Sequence, residues 1–147
     1  MAHSYSANHV HAIFSAKDRR KTITHDVQPR LWAHTTGIGK NHGIILDAIC
    51  GTENHVHVLF RLPPSLALAK AVLILKANSS RWMRERDRKF SWQEGYGAFS
   101  VSSSNLDAVV RYIRNQQARH QKISFEAKYR AILQKHGLEY DARFVFG

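Results

Sequence analysis

His55 and His57 flank Val56 in the run Asn54-His-Val-His-Val-Leu-Phe60, the stretch of this chain best equipped for chemistry. Side chains alternate faces along a strand. If the run is extended, both imidazoles emerge on one face while Val56, Val58 and Phe60 fill the other. Two neutral imidazoles side by side on a rigid strand make a ready pair of metal ligands. Downstream, Tyr112 and Gln116 in Arg-Tyr-Ile-Arg-Asn-Gln lie one helical turn apart on a common face. A phenol is a poor nucleophile until a base or cation acts on it. A neighbouring divalent ion can polarise a scissile phosphate and stabilise the charge that develops. Gln116 offers a carbonyl oxygen suited to a third ligand position. A metal-binding pair, a tyrosine and an amide together are the equipment for cutting nucleic acid through a phosphotyrosine.

Spacing alone leaves choices open. Asn8-His-Val-His-Ala-Ile-Phe14 imitates the later run, so His9 and His11 rival His55 and His57, and Gln117 rivals Gln116. Arg111, Arg114, Arg119 and Lys122 would hold phosphates on either side of a cut, or else form a solvated basic helix face. Trp92, Tyr96 and Phe99 lie beside Arg86, Arg88 and Lys89. Interleaved aromatic and basic residues suit single-stranded nucleic acid, with bases stacked on rings and phosphates on charges. Core packing explains the aromatics as well, Phe99 first. His120 and His136 have no partner at ligand spacing.

Charge agrees with a polyanionic partner. Lys and Arg number 22 against 11 Asp and Glu, a formal net charge of +11, and no amphipathic basic helix dominates, which favours nucleic acid over a membrane surface. The 147 residues suit one domain, residues 1–147, with a core of its own. Cys50 is the single cysteine, which excludes a disulfide framework and a cysteine-based zinc site, and it reads as a small buried hydrophobe. The start, Met1-Ala-His-Ser-Tyr-Ser, lacks a charged and then apolar leader, and no run reaches the roughly 18 apolar residues of a membrane span. A cytoplasmic protein is expected.

The elements that must position these groups follow from periodicity. Val10 to Ala16 reads as a first strand, and Asp26 to about Lys40 as an amphipathic helix ended by Gly37 and Gly39. Ile44 to Cys50 and His55 to Leu62 read as strands joined by Gly51-Thr-Glu-Asn54. Ser65 is positioned to cap a helix running to about Met83, and Ala98 to Ser102 reads as another strand. Ser104 and Asp107 suggest a capping-box start for a helix through Arg119, and a last helix covers Ser124 to Lys135, stopping at Gly137. This order gives an α+β, ferredoxin-like antiparallel sheet with helices packed on one face and the His55 strand in the middle.

The chain resembles the single-tyrosine HUH transposases of bacterial insertion sequences and their relatives associated with repetitive extragenic palindromes. The matching segments are His11-Ala-Ile-Phe-Ser-Ala-Lys17, Asn54-His-Val-His57, Leu75-Lys-Ala-Asn-Ser-Ser-Arg-Trp82 and Phe90-Ser-Trp-Gln-Glu-Gly-Tyr-Gly-Ala-Phe-Ser-Val-Ser102. Tyr112-Ile-Arg-Asn-Gln116, Ser124-Phe-Glu126 and His136-Gly-Leu-Glu-Tyr-Asp141 complete them. The resemblance implies the HUH nuclease fold, metal ligation by His55, His57 and Gln116, and Tyr112 as nucleophile. It leaves His11 as the single histidine of the first-strand segment and makes His9-Val-His11 a decoy. Asn54 stands where an acidic residue commonly precedes the pair, which touches the orientation of the imidazoles but removes no ligand.

The resemblance further implies cleavage and rejoining of single-stranded DNA at hairpin-bearing element ends, with Mg²⁺ or Mn²⁺ and a homodimer whose tyrosine helix can serve the partner's site. Arg111, Arg114, Arg119, Arg86, Arg88, Lys89 and Trp92 are the expected nucleic-acid contacts. Competing readings are a replication initiator or relaxase, against which the short length and the single-tyrosine helix near the C-terminus argue, and a non-catalytic binder of hairpin DNA or structured RNA. A structural zinc protein is the weakest, lacking cysteine ligands.

Overall fold

The computed structural model describes residues 4–116 and 124–139. Strands β1 (His9–Ser15), β2 (Ile45–Gly51), β3 (His55–Arg61) and β4 (Gly97–Val101) form an antiparallel sheet in the order β2-β3-β1-β4. Helix α1 (Gln28–Asn41) links β1 to β2, and α2 (Leu68–Arg84) links β3 to β4. This is the ferredoxin-like order expected from the sequence, with β1 and β3 central.

The alternation of the two central strands divides the core in two. Val10, Ala12 and Phe14 of β1 and Val56, Val58 and Phe60 of β3 are buried in one cluster with Leu31 and Ile38 of α1 and Val72 and Leu75 of α2. The residues between them, Ile13 of β1 and Leu59 of β3, point the other way into two smaller clusters. Helices α3 (Leu106–Arg114) and α4 (Phe125–Lys135) build those clusters through Ile113 and through Phe125 and Leu133. The expectation of helices on one face therefore holds for α1 and α2 only. Ile13 and Leu59 leave apolar surface on the second face as well, between its histidines, and α3 and α4 cover it.

Three local signals were misassigned by the sequence patterns. Gly37 and Gly39 lie inside α1 rather than ending it, and the left-handed residue after the helix is Gly43, at φ +75°. Gly39 instead allows close approach, because a Cβ there would sit 2.6 Å from the carbonyl oxygen of Ile44. Ser65 caps nothing: a turn in which the Leu66 amide bonds the Pro63 carbonyl delays the start of α2 to Leu68. Ser104 belongs to a 3-10 turn (Ser103–Asn105), and α3 starts at Leu106 without a side-chain cap. By contrast Ser124 does cap α4, its hydroxyl accepting from the Ala127 amide at 3.2 Å.

Trp92 is a further correction. It is buried at 9% exposure, its ring lying edge-on to Phe14 at 4.8 Å and to Phe90 at 4.9 Å, and its indole N–H donates to Ser79 Oγ at 2.9 Å. It belongs to the α1/α2 core, on the face away from the paired histidines, and offers no stacking platform for a base. Trp92→Ala is expected to cost about 3–5 kcal/mol in urea unfolding. Affinity for single-stranded DNA, measured where the variant is folded, should be unchanged; a large loss would restore the nucleic-acid role. Among the described residues no helix is long and apolar enough to cross a membrane.

Candidate active site

The site is built on the sheet face covered by α3 and α4. His55 and His57, two positions apart on β3, are 0% and 1% exposed. Antiparallel pairing sets Ile13 opposite His57 and Leu59 opposite His11, so His11 is the diagonal neighbour of His57 on the same face. His11 Nε2 and His57 Nδ1 are 2.9 Å apart and share a hydrogen bond. Nδ1 of His55 lies 2.8 Å from Asn54 Oδ1 and 3.0 Å from Thr52 Oγ1. With Nδ1–H donating to Asn54, the lone pair of His55 resides on Nε2. Asn54 thus does the orienting work for which an acidic residue was expected.

Tyr112 comes to this pair from α3. Ile113 is fully buried against Leu59 and Ala48, which fixes the rotation of the helix. The half-buried Tyr112 ring then stands edge-on 5.7 Å from His57 and 6.1 Å from His11. Gln116 is 0% exposed; its amide nitrogen donates to the Tyr112 carbonyl at 3.0 Å, and its Oε1 accepts from Lys128 Nζ at 3.0 Å. Lys128 is itself buried on α4. From the same helix Phe125 stacks on His55 at 4.3 Å. A cavity of about 490 Å³ opens between β4, α3 and α4, lined by Tyr112, His11, Phe99, Lys128, Lys135 and His136 among others.

The donor set fits a divalent cation of the Mg²⁺ or Mn²⁺ kind. Nε2 of His57 is a buried nitrogen with no hydrogen bond. A lone pair left so in a protein interior signals an absent partner. Among the described residues no group of three or more His, Cys, Asp or Glu is placed to hold a metal ion, and the Gln116 amide next to the tyrosine is a further oxygen donor that would complete a ligand set. Both imidazoles of the His11–His57 pair are held neutral. Burial, and then the charge of His136, push His11 down to about 4. Burial first, then His11, His55 and Lys128, hold His57 well below the usual histidine range.

These shifts make stability pH-dependent. The unfolded chain takes up a proton near pH 6.5 that folded His11 does not accept until about pH 4. The contribution is complete above pH 6.5 and is lost as pH falls to about 4, some ~3 kcal/mol for His11. His57 adds in the same direction. Denaturant unfolding in EDTA at pH 7 and pH 4.5 should show the loss, and His11→Phe should flatten it. Parallel losses in both proteins would contradict the assignment.

The structure thus brings His55, His57, Tyr112 and Gln116 together within one chain. Arg111 and Arg114 are exposed on α3; Arg86, Arg88 and Lys89 are exposed at and beyond the end of α2, with Arg86 stacked over Trp82 at 3.5 Å. Arg119, Lys122, His120 and Gln117 lie outside the described residues. His9 is not beside the pair but 3.7 Å from Asp47 of β2. Sequence reasoning passed over Lys128, a lysine without a motif, and left His11 without a role. The register of β1 against β3 would have found His11; nothing in the sequence marks Lys128.

Comparison with known proteins identifies the family and the fold. The sequence model of the family described as "Transposase IS200 like" matches residues 4–116. No curated protein matches significantly. Among solved structures, a candidate transposase from Deinococcus radiodurans R1 is similar at 23% identity and a TM-score of 0.63, over 79% of this chain and 96% of that one. A REP-associated tyrosine transposase bound to a REP hairpin is similar at 12% identity and a TM-score of 0.62, over 84% of this chain and 76% of that one. Both share the four-stranded α+β fold. The family match spans the sheet, the paired histidines and the tyrosine helix, and the chain belongs to the IS200-like transposase family.

Proposed function

We propose that this transposase acts on single-stranded DNA, cutting and rejoining it through a 5′-phosphotyrosine on Tyr112. The observation that carries the reading is the approach of the Tyr112 ring to His57, 5.7 Å between centroids, with the Gln116 amide bonded to the Tyr112 carbonyl. In cleavage, the phenolic oxygen attacks phosphorus and gives up its proton, the bond from phosphorus to the 3′-oxygen breaks, and a 3′-hydroxyl is freed. In rejoining, a 3′-hydroxyl attacks the phosphotyrosine and Tyr112 recovers its proton. One phosphodiester replaces another, so no nucleotide hydrolysis is needed.

His55, His57 and Gln116 are the residues that would hold Mg²⁺ or Mn²⁺. Such an ion, when bound, neutralises charge on the scissile phosphate. The protein's own part is to present Tyr112, to keep His11 and His57 neutral through burial, and to orient His55 through Asn54 and His57 through His11. Arg111 and Arg114 suit phosphates flanking the cut, and Arg86, Arg88 and Lys89 suit a more distant part of the strand. Hairpins at element ends are the expected substrates, in keeping with the hairpin-bound relative. A homodimer acting in the cytoplasm completes the reading.

The test is incubation of the protein with labelled single-stranded oligonucleotides from DNA flanking its gene, with Mn²⁺ or with EDTA, on a denaturing gel. A metal-dependent covalent adduct is the expected result. Tight hairpin binding without any adduct would identify a binding protein on the same fold.

A further inference from the structure

Lys128 is a buried cation of the site that the reaction above does not use. The residue is 5% exposed, and its ammonium donates to Oε1 of Gln116 at 3.0 Å. Burying a cation costs free energy unless it is paired, and this one is paired to the very oxygen that the proposed ligand set requires. The amide of Gln116 has little freedom to turn away, because its nitrogen is tied to the Tyr112 carbonyl at 3.0 Å. Lys128 also lines the cavity of about 490 Å³ shared with Tyr112, Lys135 and His136, so its flexible stem has room to move off Gln116.

We propose that Lys128 is a positioning residue that competes with the divalent cation for the carbonyl oxygen of Gln116. In the metal-free protein the ammonium holds that oxygen, and cation uptake displaces it into the cavity beside Tyr112, where a strand's phosphate would meet it. A phosphate in the cavity and a cation at Gln116 then favour each other, and by linkage the preference is mutual. The inference rests on the metal-dependent reading of the site.

Calorimetric titration of Mn²⁺ into wild type, Lys128→Met and Lys128→Arg tests it without reference to cleavage. Lys128→Met keeps the length of the side chain and removes the charge, and should bind Mn²⁺ about tenfold more tightly; Lys128→Arg should match wild type. Unchanged or weaker binding by Lys128→Met, with wild type binding Mn²⁺ and His57→Ala not, overturns the competition and leaves the metal site standing. No Mn²⁺ binding by wild type or Lys128→Met overturns the metal site and the competition with it. If Lys128→Met does not fold, the side-chain ammonium resonance of Lys128 in wild type decides. It should move to a solvent-exposed position at saturating Mg²⁺, and an unmoved resonance refutes displacement.

Discussion

Replacement of Tyr112 by Phe is expected to abolish the covalent protein–DNA adduct and lower strand cleavage by at least about a thousandfold, while hairpin binding persists. The phenylalanine ring keeps the edge contacts with His57 and His11, so α3 should stay in place. Since Tyr112 is only half-buried, the stability change should stay within about 1 kcal/mol. The variant therefore separates chemistry from folding, and band shift, denaturing gel and thermal melt together read the two apart. An adduct that survives in Tyr112→Phe would move the nucleophile elsewhere. The nearest rival, Tyr129 on α4, is poorly suited, because burial pushes its phenol up and away from the reactive anion.

His57→Ala should reduce Mn²⁺ affinity by more than about a hundredfold and take cleavage with it, since it removes a ligand rather than a group that merely orients one. Its effect on folding should be small, and opposite terms explain why. The substitution leaves a cavity and deprives His11 Nε2 of its 2.9 Å partner, which destabilises. It also deletes a buried nitrogen without a hydrogen bond, which stabilises. A residue whose removal hardly affects the melt in EDTA but ends ion binding is held for function at the expense of the fold. Calorimetry showing Mn²⁺ bound as tightly by His57→Ala as by wild type would place the ion away from β3.

Much of this was legible in the residues themselves. The strand periods of Val10–Phe14 and His55–Phe60 and the turn at Gly51–Asn54 sufficed for the sheet, because strands apolar on alternate positions leave few other pairings. The spacing of Tyr112 and Gln116 gave their proximity but not the end of the helix: α3 stops at Arg114 instead of running through Arg119, and the Gln116 amide reaches back to the Tyr112 carbonyl. What escaped was what depends on partners distant in sequence. Trp92 sits among charged residues in the chain, yet its indole N–H finds Ser79 across the α1/α2 core, and no local pattern reveals that. Ser65 and Ser104 look like caps, but a cap depends on the backbone angle of the next turn, which Pro63 and the 3-10 turn decide. Lys128 resembles any other lysine of a basic chain until α4 folds over the sheet and brings it to Gln116.

The order of elements along the chain carries a consequence for the protein while it is being made. Every segment of the ferredoxin-like unit lies between His9 and Val101, whereas the helices bearing Tyr112 and Lys128 come later. Chains fold largely in the order in which they leave the ribosome. The sheet and its histidines can therefore assemble while the attacking side chain is still being synthesised. A partly synthesised copy would on this reading be a folded platform carrying the paired histidines, with the proposed nucleophile added only when α3 docks.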